Sequence, residues 1–175
     1  METERLRLRP CAPTDLDALH ALWSDPEVGP WIGGAHARRE ESVEELEGNL
    51  AHQAAHGFSM WVAEERQGGD LVGEVGLQLL EGHGPEVEIG WSVARCRWGR
   101  GYAAEAARAW LDAGHERLGL ERILAVVLPG NARSRGLCER LGMREAGRRD
   151  AYGAEHLLYV SARTPAAAAW SAAPR

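Results

Sequence analysis

The chain has 175 residues, 45% of them apolar, and a formal charge of −6. That length suits one domain around a single core, and the acidic balance argues against nucleic acid as the main partner, because phosphate neutralisation wants a basic face. Cys11, Cys96 and Cys138 are widely spaced and form no CxxC or Cys/His metal pattern, so we expect free thiols, a reducing cytoplasm and no metal. The residues from Glu2 are charged, and no apolar run approaches a membrane span, which predicts neither a secretory signal nor a membrane partner.

Leu6-Arg7-Leu8-Arg9 alternates strictly and predicts a first strand, ended by Pro10. Thr14 and Asp15 offer a cap for a helix with Leu16, Leu19, Leu22 and Trp23 on one face, and Asp25-Pro26 breaks it. Trp31 follows in a loop rich in Gly and Pro. Residues 40–55 carry a helical pattern, with Ser42 as cap and Glu45 three residues on. His52 and His56 lie four apart, a spacing that suits a metal, but no third ligand is near and we read a solvated helix face. Residues 58–64 and 71–79 read as strands joined by Gln67-Gly68-Gly69-Asp70. A turn at Gly82-His83-Gly84-Pro85 leads to Val87-Glu88-Ile89-Gly90-Trp91-Ser92-Val93, so four largely antiparallel strands succeed one another.

The stretch from Val87 to Gly142 organises the rest. Its first strand runs through Trp98-Gly99-Arg100-Gly101-Tyr102-Ala103-Ala104 into a helix with Ala103, Ala107, Trp110, Gly114 and Leu118 on a common face. Residues 123–128 are unbroken apolar, as a strand covered on both faces should be. A right-handed crossover would lay this strand parallel to Val87–Val93. A second helix follows Asn131 and stops at Gly142. Residues 144–149 and 155–161 read as the last two strands, around an Ala151-Tyr152-Gly153 turn. From Thr164 the chain is Ala- and Pro-rich, and we expect a domain over 1–163 with a flexible tail over 164–175.

The glycine-rich connection predicts an anion site. The first N–H groups of a helix lack internal partners, and the helix dipole puts positive charge there. Gly99 and Gly101 let the backbone approach a pyrophosphate, and Arg97 and Arg100 flank it. A Walker A loop needs Gly-Lys, and the chain has no Lys. A dinucleotide fingerprint fits poorly: its third small position is only Ala104, and the acid at the proper distance, Glu121, opens a strand.

Trp98-Gly99-Arg100-Gly101-Tyr102-Ala103 and the run Asn131-x-x-Ser134-x-x-Leu137-Cys138-Glu139-Arg140-Leu141-Gly142 resemble the two signatures of the GNAT superfamily of N-acetyltransferases. Trp98 at the head of the first signature looks like the RimJ/RimL branch, which acetylates N-termini of ribosomal proteins. The resemblance implies an α+β fold. Its mixed, mostly antiparallel sheet of six to seven strands would carry helices on both faces and splay between the central strand and its parallel neighbour. It implies acetyl-CoA as cosubstrate, held by Trp91, Ser92, Val93, Trp98 through Ala104, Asn131 and Arg133. It also implies an amine acceptor, a protein or peptide N-terminal α-amine, with a small amine as the alternative and a noncatalytic acyl-CoA-binding module as a further one. The protein would be a monomer or homodimer.

Transfer to an amine needs a base for the amine proton, a donor for the departing thiolate and an N–H for the oxyanion, which we expect near Val93. Glu88, alternating away from Val87, Ile89 and Trp91, is the expected base, with Glu86 and Glu74 as alternatives. Many members of the resembling family place a Tyr donor where this chain has Cys138, and Ser134 maps to the donor of RimL-like enzymes, so Ser134 and Cys138 are both expected candidates to protonate the thiolate. Ser134 and Asn131 would otherwise serve only as helix caps. Trp31, Glu74 and Tyr152 are expected at the acceptor.

Overall fold

The computed structural model describes residues 1–34 and 36–163; the expected tail over 164–175 lies outside them. Strand β1 (Leu6–Pro10) buries Leu6 and Leu8 while Arg7 faces out, as the alternation requires. It pairs antiparallel with β2 (Met60–Glu65), which pairs with β3 (Leu71–Leu79), and that with β4 (Val87–Val93). Beyond β4 come β5 (Arg122–Val127), then β7 (Ala154–Ala162), then β6 (Arg144–Ala151) at the edge, seven strands among the described residues. Among them the β4–β5 pair is parallel and the others antiparallel.

Helices α1 (Leu16–Trp23) and α2 (Arg39–His56) cover one face, where Leu19, Leu22, Trp23 and Leu46 pack with Val62. Helices α3 (Tyr102–Glu116) and α4 (Ala132–Arg140) share the main core with Val75, Leu77, Val87 and Ile89 on the other face. The small residues of α3 allow close approach: a Cβ on Gly114 would stand 2.5 Å from Ile123 Cδ1. Leu118, expected on that face, lies past the helix end and is 41% exposed.

One feature of the sheet builds the site. β3 and β4 hold register from Leu79↔Val87 to Gly73↔Val93, but β4 and β5 meet in register only at Glu88↔Leu124. Their carboxyl ends diverge and leave a wedge. Ala94 donates its N–H to the Val72 carbonyl at 2.9 Å. By antiparallel alternation, the amides of Ser92 and Gly90 then face β3, and those of Trp91 and Val93 face the wedge. The central strand is thus regular through Val93 and turns donors toward the opening.

Two helix details differ from the sequence reading. α2 starts before Ser42, with the Arg38 amide donating to Glu41 at 3.1 Å. Ser42 is instead buried, its Oγ 2.9 Å from His20 Nδ1 and 3.1 Å from His36 Nδ1. His52 is no solvated face: its Nδ1 meets the Phe58 carbonyl at 2.7 Å and its Nε2 accepts from the Leu79 amide at 3.0 Å. Both ring nitrogens are used, which ties α2 to the segment before β2 and to the end of β3.

Candidate active site

Two clefts open on either side of the wedge. The first, of about 720 Å³, lies toward α3 and α4 and is lined by Trp98, Gly99, Gly101, Tyr102, Ala103, Ala104 and Arg133, among others. Gly99 (φ 74°) and Gly101 (φ 81°) both take the left-handed conformation that favours glycine. Glu105 is the first residue to find a helical carbonyl, that of Gly101 at 3.0 Å. The amides of Tyr102, Ala103 and Ala104 precede it and have no intrahelical partner, so three donors and the dipole converge there. Arg133 stacks over the Trp98 ring at 4.2 Å, and Trp98 Nε1 donates to the Val93 carbonyl at 2.7 Å.

The arginines divide differently from the sequence reading. Arg97 is held by its own acids, Glu65 at 2.9 Å and Asp70 at 2.8 Å. The Arg100 side chain is exposed and is not among the lining residues; its carbonyl accepts from Arg5 at 2.9 Å. Arg5 had no signal in the sequence. It pairs with Glu105 at 2.7 Å, lies over the Tyr102 ring and so fastens β1 to the loop. Arg140, also unforeseen, lines this cleft from the end of α4.

The second cleft, of about 630 Å³, opens toward α1 and α2. Its acidic lining is Glu45, Glu74 and Glu88, beside the imidazoles of His36 and His156, with no Arg among the described residues that line it. Glu74 is 6% exposed. Its Oε1 accepts from Trp23 Nε1 at 2.6 Å and from Ser92 Oγ at 3.0 Å, and its Oε2 has no partner. Burial pushes the Glu74 carboxyl up to about 7, helped by Glu45 and opposed by those two hydrogen bonds. Glu88 is 4% exposed, its Oε1 accepting from Gln78 Nε2 at 2.9 Å and from the Tyr152 hydroxyl. Burial raises it too, against those donors.

Tyr152 reaches Glu88 from a two-residue turn closed by the Ala151↔Ala154 pair, with φ of 51° at Tyr152 and 73° at Gly153. A bulky residue at positive φ is strained. Glu81 is the other non-glycine residue at positive φ among the described residues, and the two clasp each other. The Glu81 amide donates to the Tyr152 hydroxyl at 3.0 Å, and the Tyr152 amide donates to the Glu81 carboxylate at 3.0 Å.

The clefts meet at Trp91, Ser92, Asn131 and Ser134, with Trp31 lining both. Trp31 is 43% exposed, its ring beside Gly130. Asn131 caps α4 by accepting from the Ser134 amide at 3.1 Å, which leaves the Ser134 hydroxyl for Trp91 Nε1, 3.1 Å away. Cys138 is not brought here. It is 0% exposed in the main core, lines neither cleft, and burial pushes its thiol up to about 12. One helical turn beyond Ser134, it points inward; the expectation that it donates a proton gives way to a packing role.

Residues 5–144 match the family model described as the acetyltransferase (GNAT) domain. YkkB of Bacillus subtilis (strain 168), described as uncharacterized, is 35% identical over 144 residues, spanning 81% of this chain and 83% of that one. The uncharacterized N-acetyltransferase p20 of Bacillus licheniformis is 32% identical, spanning 83% and 82%. The crystal structure of an acetyltransferase from Agrobacterium tumefaciens str. C58 superposes with a TM-score of 0.82 at 29% identity, covering 92% of each chain. With its splayed sheet, its open amides at α3 and a match over most of its length, this chain belongs to the GNAT family of N-acetyltransferases and is an acyltransferase.

Proposed function

We propose that this enzyme transfers an acetyl group from acetyl-CoA directly to a primary amine in the cytoplasm. The observation that carries the reading is the meeting of two clefts of opposite character at Ser134. The first fits the coenzyme. Gly99 and Gly101 leave no side chain where a diphosphate would lie, the α3 amides are open, and Arg133 and Arg140 supply charge. Acetyl-CoA, when bound, supplies an activated acetyl thioester. The amides of Trp91 and Val93 are placed to bond an arm threaded through the wedge.

The remaining chemistry falls to side chains. Glu74, anchored through Oε1 and with Oε2 buried without a partner, is the carboxylate we assign to take the proton of an incoming ammonium, directly or through a water. A carboxyl group near 7 suits that task at neutral pH. Glu88, the base expected from sequence, is tied to Tyr152 and Gln78 away from the junction. The Ser134 hydroxyl, at the junction, relays to the departing thiolate the proton that the attacking nitrogen sheds as the C–N bond forms and the C–S bond breaks. Direct transfer needs no nucleophilic thiol, in keeping with the buried Cys138.

For the acceptor, the RimJ/RimL resemblance supports a protein or peptide N-terminal α-amine. The carboxylate-lined cleft supports any amine that arrives as a cation, small amines included. The test is thiol release from acetyl-CoA over a panel of peptides and small amines. Release with at least one amine, rising through neutral pH, is expected. Thermal stabilisation by acetyl-CoA with no release from any amine would contradict the reading.

A further inference from the structure

Among the described residues three acids are buried: Asp15, Glu74 and Glu88. Asp15 follows the usual rule for a buried charge, held by both terminal nitrogens of Arg9 at 2.7 Å. Glu74 and Glu88 break it. Neither pairs with an Arg among the described residues, and both line the acceptor cleft. The Oε2 of Glu74 is buried and has no hydrogen-bond partner among the described residues. A ligand that brings positive charge would supply one.

The two carboxylates are also held apart. Glu74 lies across from Ser92 and bonds it; Glu88 lies across from Gln78 and bonds it. Each carboxylate therefore stays level with its own strand pair. Glu88 and Ser92 are four residues apart on β4 and face the same side, which at about 3.4 Å per residue separates the two levels by about 14 Å. Allowing for a hydrogen bond at each end, the cleft suits two cationic nitrogens on the order of 10 Å apart.

We propose that the acceptor is a dication, whose reacting amine sits at Glu74 beside the junction and whose second positive nitrogen is held by Glu88. This rests on the acetyltransferase reading above and adds the substrate class. Two sources share the chemistry: a long α,ω-diamine, or a peptide whose basic side chain lies near its free N-terminus. The Glu81–Tyr152 clasp then has a purpose, because it sets the Tyr152 hydroxyl against Glu88 and holds that carboxylate in place.

The test is calorimetric titration into protein saturated with CoA, which needs no turnover. The ligands are propylamine, α,ω-diamines from three to ten carbons, and short peptides with Lys or Ala second. Affinity should rise with diamine length to an optimum beyond 1,3-diaminopropane, and Glu88→Gln should remove the gain, a loss of roughly tenfold to a hundredfold. If the Lys peptide binds tightly and the diamines do not, the source is a peptide; the reverse assigns a small diamine. Equal binding of mono- and dications, or a length preference unchanged in Glu88→Gln, overturns the proposal. Should Glu88→Gln not fold, the wild-type length series decides alone. Carboxylate-dependent dication binding without thiol release would sink the catalytic reading while leaving the two-carboxylate dication site standing.

Discussion

The coenzyme cleft is built from main chain, and the acceptor cleft from side chains. At α3 the binding groups are amides that every helix N-terminus possesses, uncovered by two glycines. Across the wedge they are Glu74 and Glu88, held by Trp23, Ser92, Gln78 and Tyr152 from several elements. The first kind of site tolerates sequence change as long as backbone shape survives. The second is specific to the side chains present, and burying unpaired carboxylates makes it costly to the fold.

The largest expected effect breaks the acceptor side alone. Glu74→Gln keeps an oxygen for Trp23 and Ser92 but cannot take a proton, so kcat/KM should fall by about 10²-fold or more, with CoA affinity unchanged in calorimetry. The same variant should be more stable. The folded carboxyl titrates near 7, above its unfolded value of about 4.3, so the folded chain retains a proton the unfolded chain has lost. Stability therefore falls as pH rises across that window, and the variant escapes the loss. At pH 8 it should gain about 1–3 kcal/mol, read as a rise in Tm of several degrees. An unchanged Tm would mean that Glu74 is not desolvated.

Breaking the coenzyme side should give the mirror result. Gly101 has a φ of 81°, where a β-branched residue is strained, and its amide opens the anion site. Gly101→Val should weaken CoA binding by roughly tenfold or more while sparing diamine affinity. Unaltered CoA affinity would remove the loop from the coenzyme site. At the junction, Ser134→Ala should slow kcat by about tenfold to a hundredfold with little change in either affinity. The cap made by Asn131 uses the Ser134 amide, so the helix should survive the change. An undiminished kcat would assign the proton to another donor.

The smallest effect sharpens the contrast. The kcat/KM of the wild type should rise with pH through about 7 as Glu74 ionises and draws the cation, whereas CoA affinity should be flat over that range. Glu74→Gln should lose that inflection. Trp23, Ser92 and the nearby Glu45 are the groups that act on Glu74, and none adds a positive charge.

How much of this the sequence carried follows the same division. The glycine loop, the N-cap Asn131 and the parallel pair around α3 were legible, because they depend on local spacing and backbone conformation. So were four successive antiparallel strands. The placement of β7 between β5 and β6 was not, since pairing order is a long-range choice. Alternation placed Glu88 on the acceptor face, but not the Tyr152 hydroxyl that occupies it, which arrives from the far end of the chain. Ser42 looked like a cap because a Ser with Glu three residues on is a local pattern; tertiary partners His20 and His36 claimed it instead. Cys138 drew notice by its position in a motif, and only packing shows that it faces the core.

The central claim is that one wedge receives the coenzyme from the α3–α4 side and the amine from the α1–α2 side. The most direct measurement is a crystal structure of the protein with CoA. The account predicts the diphosphate on the amides of residues 99–104, the pantetheine arm beside Trp91 and Val93, and the sulfur within reach of the Ser134 hydroxyl. A diphosphate bound away from that loop, or an arm that does not enter between β4 and β5, would contradict it.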